Sequence, residues 1–155
     1  MEEPPEQAKN LSPMHETSSA LIEVKSTSGT LRVIPFGAEG RGVVAARPIR
    51  RGEIIERSPV IIVHEEDRAA VDAANVGSYI FMWEHGKIGE DLTSQQGRAA
   101  IVLGFTSLIN HSADPNCTIL RYIEALAIEL IALRDIEAGE ELRLDYHMIL
   151  WFTPE

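Results

Sequence analysis

The sequence predicts a mainly β domain with short helices, and three observations carry that prediction. Short apolar or alternating runs recur from Leu21 onward, glycine and proline fall between them, and helical stretches are too scarce to alternate with the strands. The last point excludes a doubly wound nucleotide-binding fold. No repeat of about 20–50 residues is visible, which excludes a solenoid or propeller. At 155 residues and 17.1 kDa the chain suits one domain.

Residues 1–20 hold Pro4, Pro5 and Pro13 among Glu, Ser and Thr with no apolar period, and read as a disordered tail. Strands are expected at Leu21–Lys25, Leu31–Pro35, Arg41–Ala46, Glu53–Val63, Thr118–Ile123, Leu126–Leu133 and Glu141–Tyr146. Gly29, Gly37, Gly40, Pro48, Gly52 and Gly139 mark the bends between them. From His64 to about residue 104 the strand signal lapses into alanine-rich and mixed sequence. There Arg68–Ala74, Ser78–Glu84 and Arg98–Phe105 are expected as short helices of an insert. The core domain thus covers 21–146, and 147–155 form a short C-terminal tail.

With 45% apolar and 25% charged residues the chain has the balance of a globular protein. Fourteen Lys and Arg against 24 Asp and Glu leave a net charge of −10. That is a poor balance for gripping a nucleic-acid backbone or an anionic bilayer, and a basic partner suits it better. Cys117 is the only cysteine, so neither an intrachain disulfide nor a cysteine-rich zinc site can form. An intracellular, cytoplasmic setting is expected. The Met-Glu-Glu-Pro-Pro-Glu start lacks a secretory signal, and the most apolar stretch, Ile123–Leu133, is broken by Glu124 and Glu129.

Three clusters carry chemistry. Gly40-Arg41-Gly42, followed by Val43-Val44-Ala45, lets backbone pass close to a ligand, although it lacks the third glycine and long helix of a dinucleotide site. Asn110-His111-Ser112 with Pro115-Asn116 places an amide and an imidazole directly after an apolar run, where they can offer donors and acceptors. His111 and Ser112 are adjacent in sequence with no nucleophile elbow, so a serine hydrolase is a poor reading. The third cluster, Gly139-Glu140-Glu141-Leu142-Arg143-Leu144-Asp145-Tyr146, alternates apolar and charged residues and ends in an aromatic. Taken singly, each cluster also suits an ordinary turn or core segment.

In this order the three clusters resemble the SET-domain protein-lysine N-methyltransferases, over about Leu31 to Tyr146. The resemblance implies a β-clip fold with knot-like threading of the C-terminal segment, which brings the second and third clusters together. It implies S-adenosylmethionine, leaving as S-adenosylhomocysteine, in a pocket of Gly40, Arg41, Gly42, Asn110, His111 and Trp151. Tyr146 is then the catalytic tyrosine, and Tyr79, Phe81 and Phe105 are the candidates for the wall of the lysine channel. The family's usual zinc cysteines are missing, since Ala113 follows Ser112 and no cysteine follows Cys117. The chain therefore looks most like the compact viral and bacterial members, in which a short aromatic tail, here Trp151 and Phe152, closes the site. No metal is expected.

The implied partner is a basic lysine-containing protein, with histones as one such class and a nuclear or chromatin setting in that case. A homodimer is compatible with the sequence. Two other functions fit the same residues: a SET-like module that binds basic peptides without turnover, and a methyltransferase acting on a small amine.

Overall fold

The computed structural model describes residues 24–36, 40–83 and 97–146. Two sheets hold the chain. The smaller contains β1 (Val24–Lys25), β2 (Leu31–Pro35) and β3 (Arg41–Ala45), antiparallel in that order. Leu31 and Val33 alternate inward on β2, while Gly42 to Ala45 of β3 are all buried. Gly40 turns the chain into β3 at φ +84°, a conformation that side chains with a Cβ resist, and its carbonyl accepts the Phe36 N–H at 2.7 Å.

The larger sheet is built around the long β4 (Ile54–Val63), which pairs antiparallel with β6 (Ala99–Val102) on one side and β9 (Ala127–Ala132) on the other. β5 (Ile80–Met82) adds to β6, and β8 (Cys117–Tyr122) forms a hairpin with β9. Beyond β8 come β10 (Arg143–Leu144) and β7 (Asn110–His111), giving the order β5-β6-β4-β9-β8-β10-β7. The last three strands run parallel: Arg143 is opposite Asn110, and Leu144 is opposite both His111 and Cys117. β10 therefore lies between two strands that follow one another in the chain. The Ser112 and Asn116 N–H groups, from the connection between those strands, donate to the Leu144 and Arg143 carbonyls at 2.9 and 3.2 Å. This is the threading that the resemblance implies.

Residues 140–142 stitch the sheets together. The Ala45 and Leu142 N–H groups donate to the Glu140 and Val43 carbonyls at 2.9 and 2.8 Å. Leu31, Ile49, Trp83, Ile109, Ile136 and Leu144, each at most 1% exposed, fill the space between the layers. No described helix is long and apolar enough to cross a membrane.

Within the insert, the expected helix at Arg68–Ala74 is α1 (Arg68–Asp72), between one-turn 3-10 helices at Glu65–Asp67 and Asn75–Tyr79. Two other expected helices are corrected. Arg98–Phe105 contains strand β6, and Ser78–Glu84 contains the end of a 3-10 turn followed by strand β5. Ala99-Ala100-Ile101-Val102 is an unbroken apolar run covered from both sides, and such a run has no period that separates strand from helix. The insert thus extends the main sheet through β5 and β6. The expected strand at Glu141–Tyr146 is ladder-paired only at Arg143–Leu144, with an isolated bridge from Glu141 to Val44.

Candidate active site

The site forms where β10 meets β7 and the mouth of β3. A pocket of about 220 Å³ is lined by Gly40, Arg41, Ser78, Tyr79, Ser107, Leu108, Ile109, Asn110 and Tyr146. Residues from all three sequence clusters converge there, together with Tyr79 from the insert. The convergence follows from the threading, since β10 delivers Tyr146 directly beside β7 and its Asn110 and His111.

Tyr146 is held at both ends. Its hydroxyl donates to the Ile109 carbonyl at 2.5 Å, and its backbone N–H donates to His111 Nδ1 at 3.1 Å. Phe81 meets its ring edge-on at 6.0 Å, and the His111 ring packs at 5.2 Å. With its proton directed to Ile109, the phenol oxygen presents lone pairs to the pocket. Burial pushes the phenol above its usual range, a shift that nearby Arg143 only partly opposes. Near neutral pH Tyr146 is thus an uncharged acceptor, not a base.

His111 serves Tyr146. Its Nδ1 accepts the Tyr146 N–H and lies 3.9 Å from Asp145 Oδ1, and through the closer contact the imidazole braces the tyrosine. Its carbonyl also accepts Arg143 Nη1 at 3.4 Å.

Asn110 is fixed by its amide, which donates to the Arg41 carbonyl at 3.2 Å and to Glu141 Oε1 at 3.0 Å. Glu141 is fixed in turn by Arg143 Nη2 at 2.5 Å. A Cβ on Gly42 would lie 2.5 Å from the Phe36 ring and 2.8 Å from Glu141 Oε1, so only glycine leaves room for this arrangement. Gly42 therefore shapes the wall without lining the pocket.

Sequence reasoning placed Asn116 in the second cluster and Glu141 in the third without giving either a task of its own. Asn116 is 2% exposed and clamps β10: its amide donates to the Glu141 carbonyl at 2.8 Å and to Glu140 Oε1 at 3.1 Å, while its Oδ1 accepts the Arg143 N–H at 2.8 Å. Its place beside Pro115 was the only signal available. Phe105, a candidate for the channel wall, does not line this pocket. The turn that carries it points it into an adjoining apolar pocket with Val24, Val33 and Leu108. Trp151 and Phe152 lie outside the described residues. Among the described residues no group of three His, Cys, Asp or Glu is placed to hold a metal ion.

This fold and site define a class, and comparison with known proteins agrees with it. The profile of the SET domain matches residues 40–147, and the chain belongs to the SET-domain family, S-adenosylmethionine-dependent protein-lysine N-methyltransferases. It is similar to the histone-lysine N-methyltransferase, H3 lysine-37 specific, of Schizosaccharomyces pombe: 32% identity over 118 residues, covering 76% of this chain and 73% of that one. It is 35% identical over 135 residues to the N-lysine methyltransferase KMT5A of Xenopus tropicalis, covering 81% of this chain but 38% of that protein. Of the Drosophila melanogaster histone-lysine N-methyltransferase Set8 it spans 17%, at 36% identity over 126 residues. Among solved structures, the Neurospora SET domain protein DIM-5, a histone lysine methyltransferase, superposes with a TM-score of 0.56 at 25% identity, over 74% of this chain and 50% of that one.

Proposed function

We propose that this protein transfers the methyl group of S-adenosylmethionine to a lysine side-chain amine of a basic protein, with histones as the leading substrate class. The observation that carries this reading is the orientation of Tyr146. Its hydroxyl proton is committed to the Ile109 carbonyl, and the phenol oxygen faces a pocket bounded by Arg41 and Asn110. The residues present fit the methyl donor. Arg41 suits its carboxylate, Asn110 Oδ1 offers an acceptor for its amino group, and Leu108 and Ile109 supply apolar wall. When bound, S-adenosylmethionine supplies an electron-poor methyl on a sulfonium.

The chain's own groups do the positioning. An oxygen that offers lone pairs next to a carbonyl favours polarised C–H groups and orients an incoming amine. Holding two reactants in line supplies much of the rate of such a transfer. Lysine must arrive neutral, and at an ordinary pKa of about 10.4 this costs roughly 4 kcal/mol at pH 7.4. Tyr146 is not placed to take that proton, so it leaves to solvent before the amine is enclosed. The rings of Tyr79 and Tyr146 along the pocket, the latter backed by Phe81, lower the amine's pKa by desolvation.

Ala113, directly after Asn110-His111-Ser112 where many members carry a zinc-binding cysteine, supports assignment to the compact type of the family, and a histone substrate would place the enzyme on chromatin. The test is incubation with labelled S-adenosylmethionine and a panel of basic polypeptides that includes histones. Label on lysine is expected. Saturable cofactor binding without transfer would favour the binding module, and transfer to free amines alone would favour the small-amine enzyme. Peptide affinity is expected to fall with salt, because the net charge of −10 steers basic partners over a Debye length of about 8 Å.

A further inference from the structure

β4 carries an irregularity that the site residues named so far do not use. Its register against β9 shifts between Ile54, opposite Ile131, and Glu56, opposite Leu130. Ile55 is consequently buried and Glu56 partly buried in succession, where strict alternation would send one of them outward. Such bulges re-aim a side chain, and here the side chain is a carboxylate. Glu56 Oε1 accepts the Phe105 N–H at 3.0 Å, and Oε2 accepts the Thr106 N–H at 2.9 Å and the Thr106 hydroxyl at 2.6 Å. Thr106 is fully buried.

The first N–H groups of a helical turn have no partner inside it, and one carboxylate satisfies two of them in the turn Phe105–Leu108. Gly104 makes room for this contact: a Cβ there would lie 2.3 Å from Ser58 Oγ and 2.8 Å from Glu56 Oε2. Its φ of −173° is extended backbone open to any residue, so space alone selects glycine. The bulge, the glycine and the three hydrogen bonds serve one result, the placement of this turn. Directly after it comes Ile109, whose carbonyl receives the Tyr146 hydroxyl.

We propose that Glu56 is a positioning residue for methyl transfer, holding the turn 105–108 so that the Ile109 carbonyl orients the Tyr146 hydroxyl. The inference rests on the reading of Tyr146 as the methyl-transfer residue. Glu56 does not line the Tyr146 pocket, so its influence passes through the turn. Misplacement of reacting groups by about 1 Å costs on the order of 100-fold in rate, so a loosened turn is felt in kcat. Substrate and cofactor affinity depend on other contacts.

The test is Glu56→Gln in the full chain, which keeps the shape but turns an NH2 toward backbone donors. It is expected to lower kcat by roughly 10- to 100-fold, with the peptide KM and the S-adenosylmethionine Kd within about twofold. In a Tyr146→Phe background, which has no hydroxyl to orient, the same substitution is expected to cost less than about twofold. Thr106→Val, which preserves charge and volume, guards against a Glu56 variant that fails to fold. In protein carrying 13C-labelled tyrosine rings, the variant is expected to lower the titration midpoint of Tyr146, because a phenol that donates to a carbonyl resists ionisation. Tyr122, whose hydroxyl is engaged by Glu129, should not move. A Glu56→Gln loss that persists undiminished in the Tyr146→Phe background, or an unmoved Tyr146 titration in Thr106→Val, would overturn the proposal. Failure of the unaltered protein to bind S-adenosylmethionine would instead sink the methyltransferase reading, while the titration would still report the coupling.

Discussion

Replacing Asn116 by alanine should unfasten β10, and the size of the loss can be worked from its contacts. Three hydrogen bonds of 2.8–3.1 Å disappear, two donated by the amide and one accepted from the Arg143 N–H, along with a weak one accepted from the Cys117 thiol at 3.4 Å. At about 1 kcal/mol net each, with about 1 kcal/mol more for the Arg143 N–H left unpartnered between strands, the cost is about 4 kcal/mol. That is a large part of the roughly 5–15 kcal/mol that stabilises a domain. For a chain of this length it corresponds to a drop of about 10 °C in Tm. Urea unfolding monitored by circular dichroism measures it directly. Asn116→Asp adds a check on sign. The new carboxylate would face Glu140 and the Glu141 carbonyl, so its folded-state pKa is raised above the unfolded value of about 3.9. The folded state then binds more protons than the unfolded one, and the variant's deficit relative to the parent should shrink as pH falls toward about 4. A loss below about 1 kcal/mol in Asn116→Ala would refute the clamp.

Tyr146→Phe should reduce kcat by about 10²–10³ while S-adenosylmethionine binding by calorimetry stays nearly intact, since one hydroxyl is lost with little volume. Glu140 is held down to about 2, first by Arg134 and then by the Glu137 N–H and Asn116. Its contribution to stability is therefore full above the unfolded value of about 4.3 and is lost as pH falls through about 2. Glu140→Gln should flatten that acid limb in unfolding measurements between those values. Burial pushes the Cys117 thiol up to about 12. A disulfide reagent at mild alkaline pH should leave the native protein unlabelled and modify one thiol in guanidinium.

The strands of the frame were legible where the sequence alternates between glycine turns, as in β2 with Leu31 and Val33 inward. β5 and β6 were not, because Ala99 to Val102 are apolar throughout and mimic a buried helix. The site was legible as three motifs, and their meeting followed from a family resemblance and not from spacing. Hydrophobic patterning cannot show that β10 enters between β7 and β8. The tasks of Asn116, Glu141 and Glu56 depend on that entry or on a one-residue bulge, so composition gave them no distinguishing mark. The direction of Phe105 was not legible for a simpler reason: an aromatic on a 3-10 turn is aimed by the turn's anchor, which lies about fifty residues earlier, in β4.

The slot occupied by β10 also orders events in time. β8 and β9 are joined by a tight hairpin and can pair as soon as both exist, whereas β10 needs a gap one strand wide already standing open between β7 and β8. Closing such a distant contact is slow compared with zipping a hairpin. Tyr146 sits two residues beyond Leu144 and reaches His111 and Ile109 only when that gap is filled. During refolding, enzymatic activity should therefore lag the recovery of sheet signal and return together with protection of the Arg143 amide. The centre is thus built by the same pairing that fills the gap, so anything that keeps β10 out also keeps Tyr146 from His111 and Ile109.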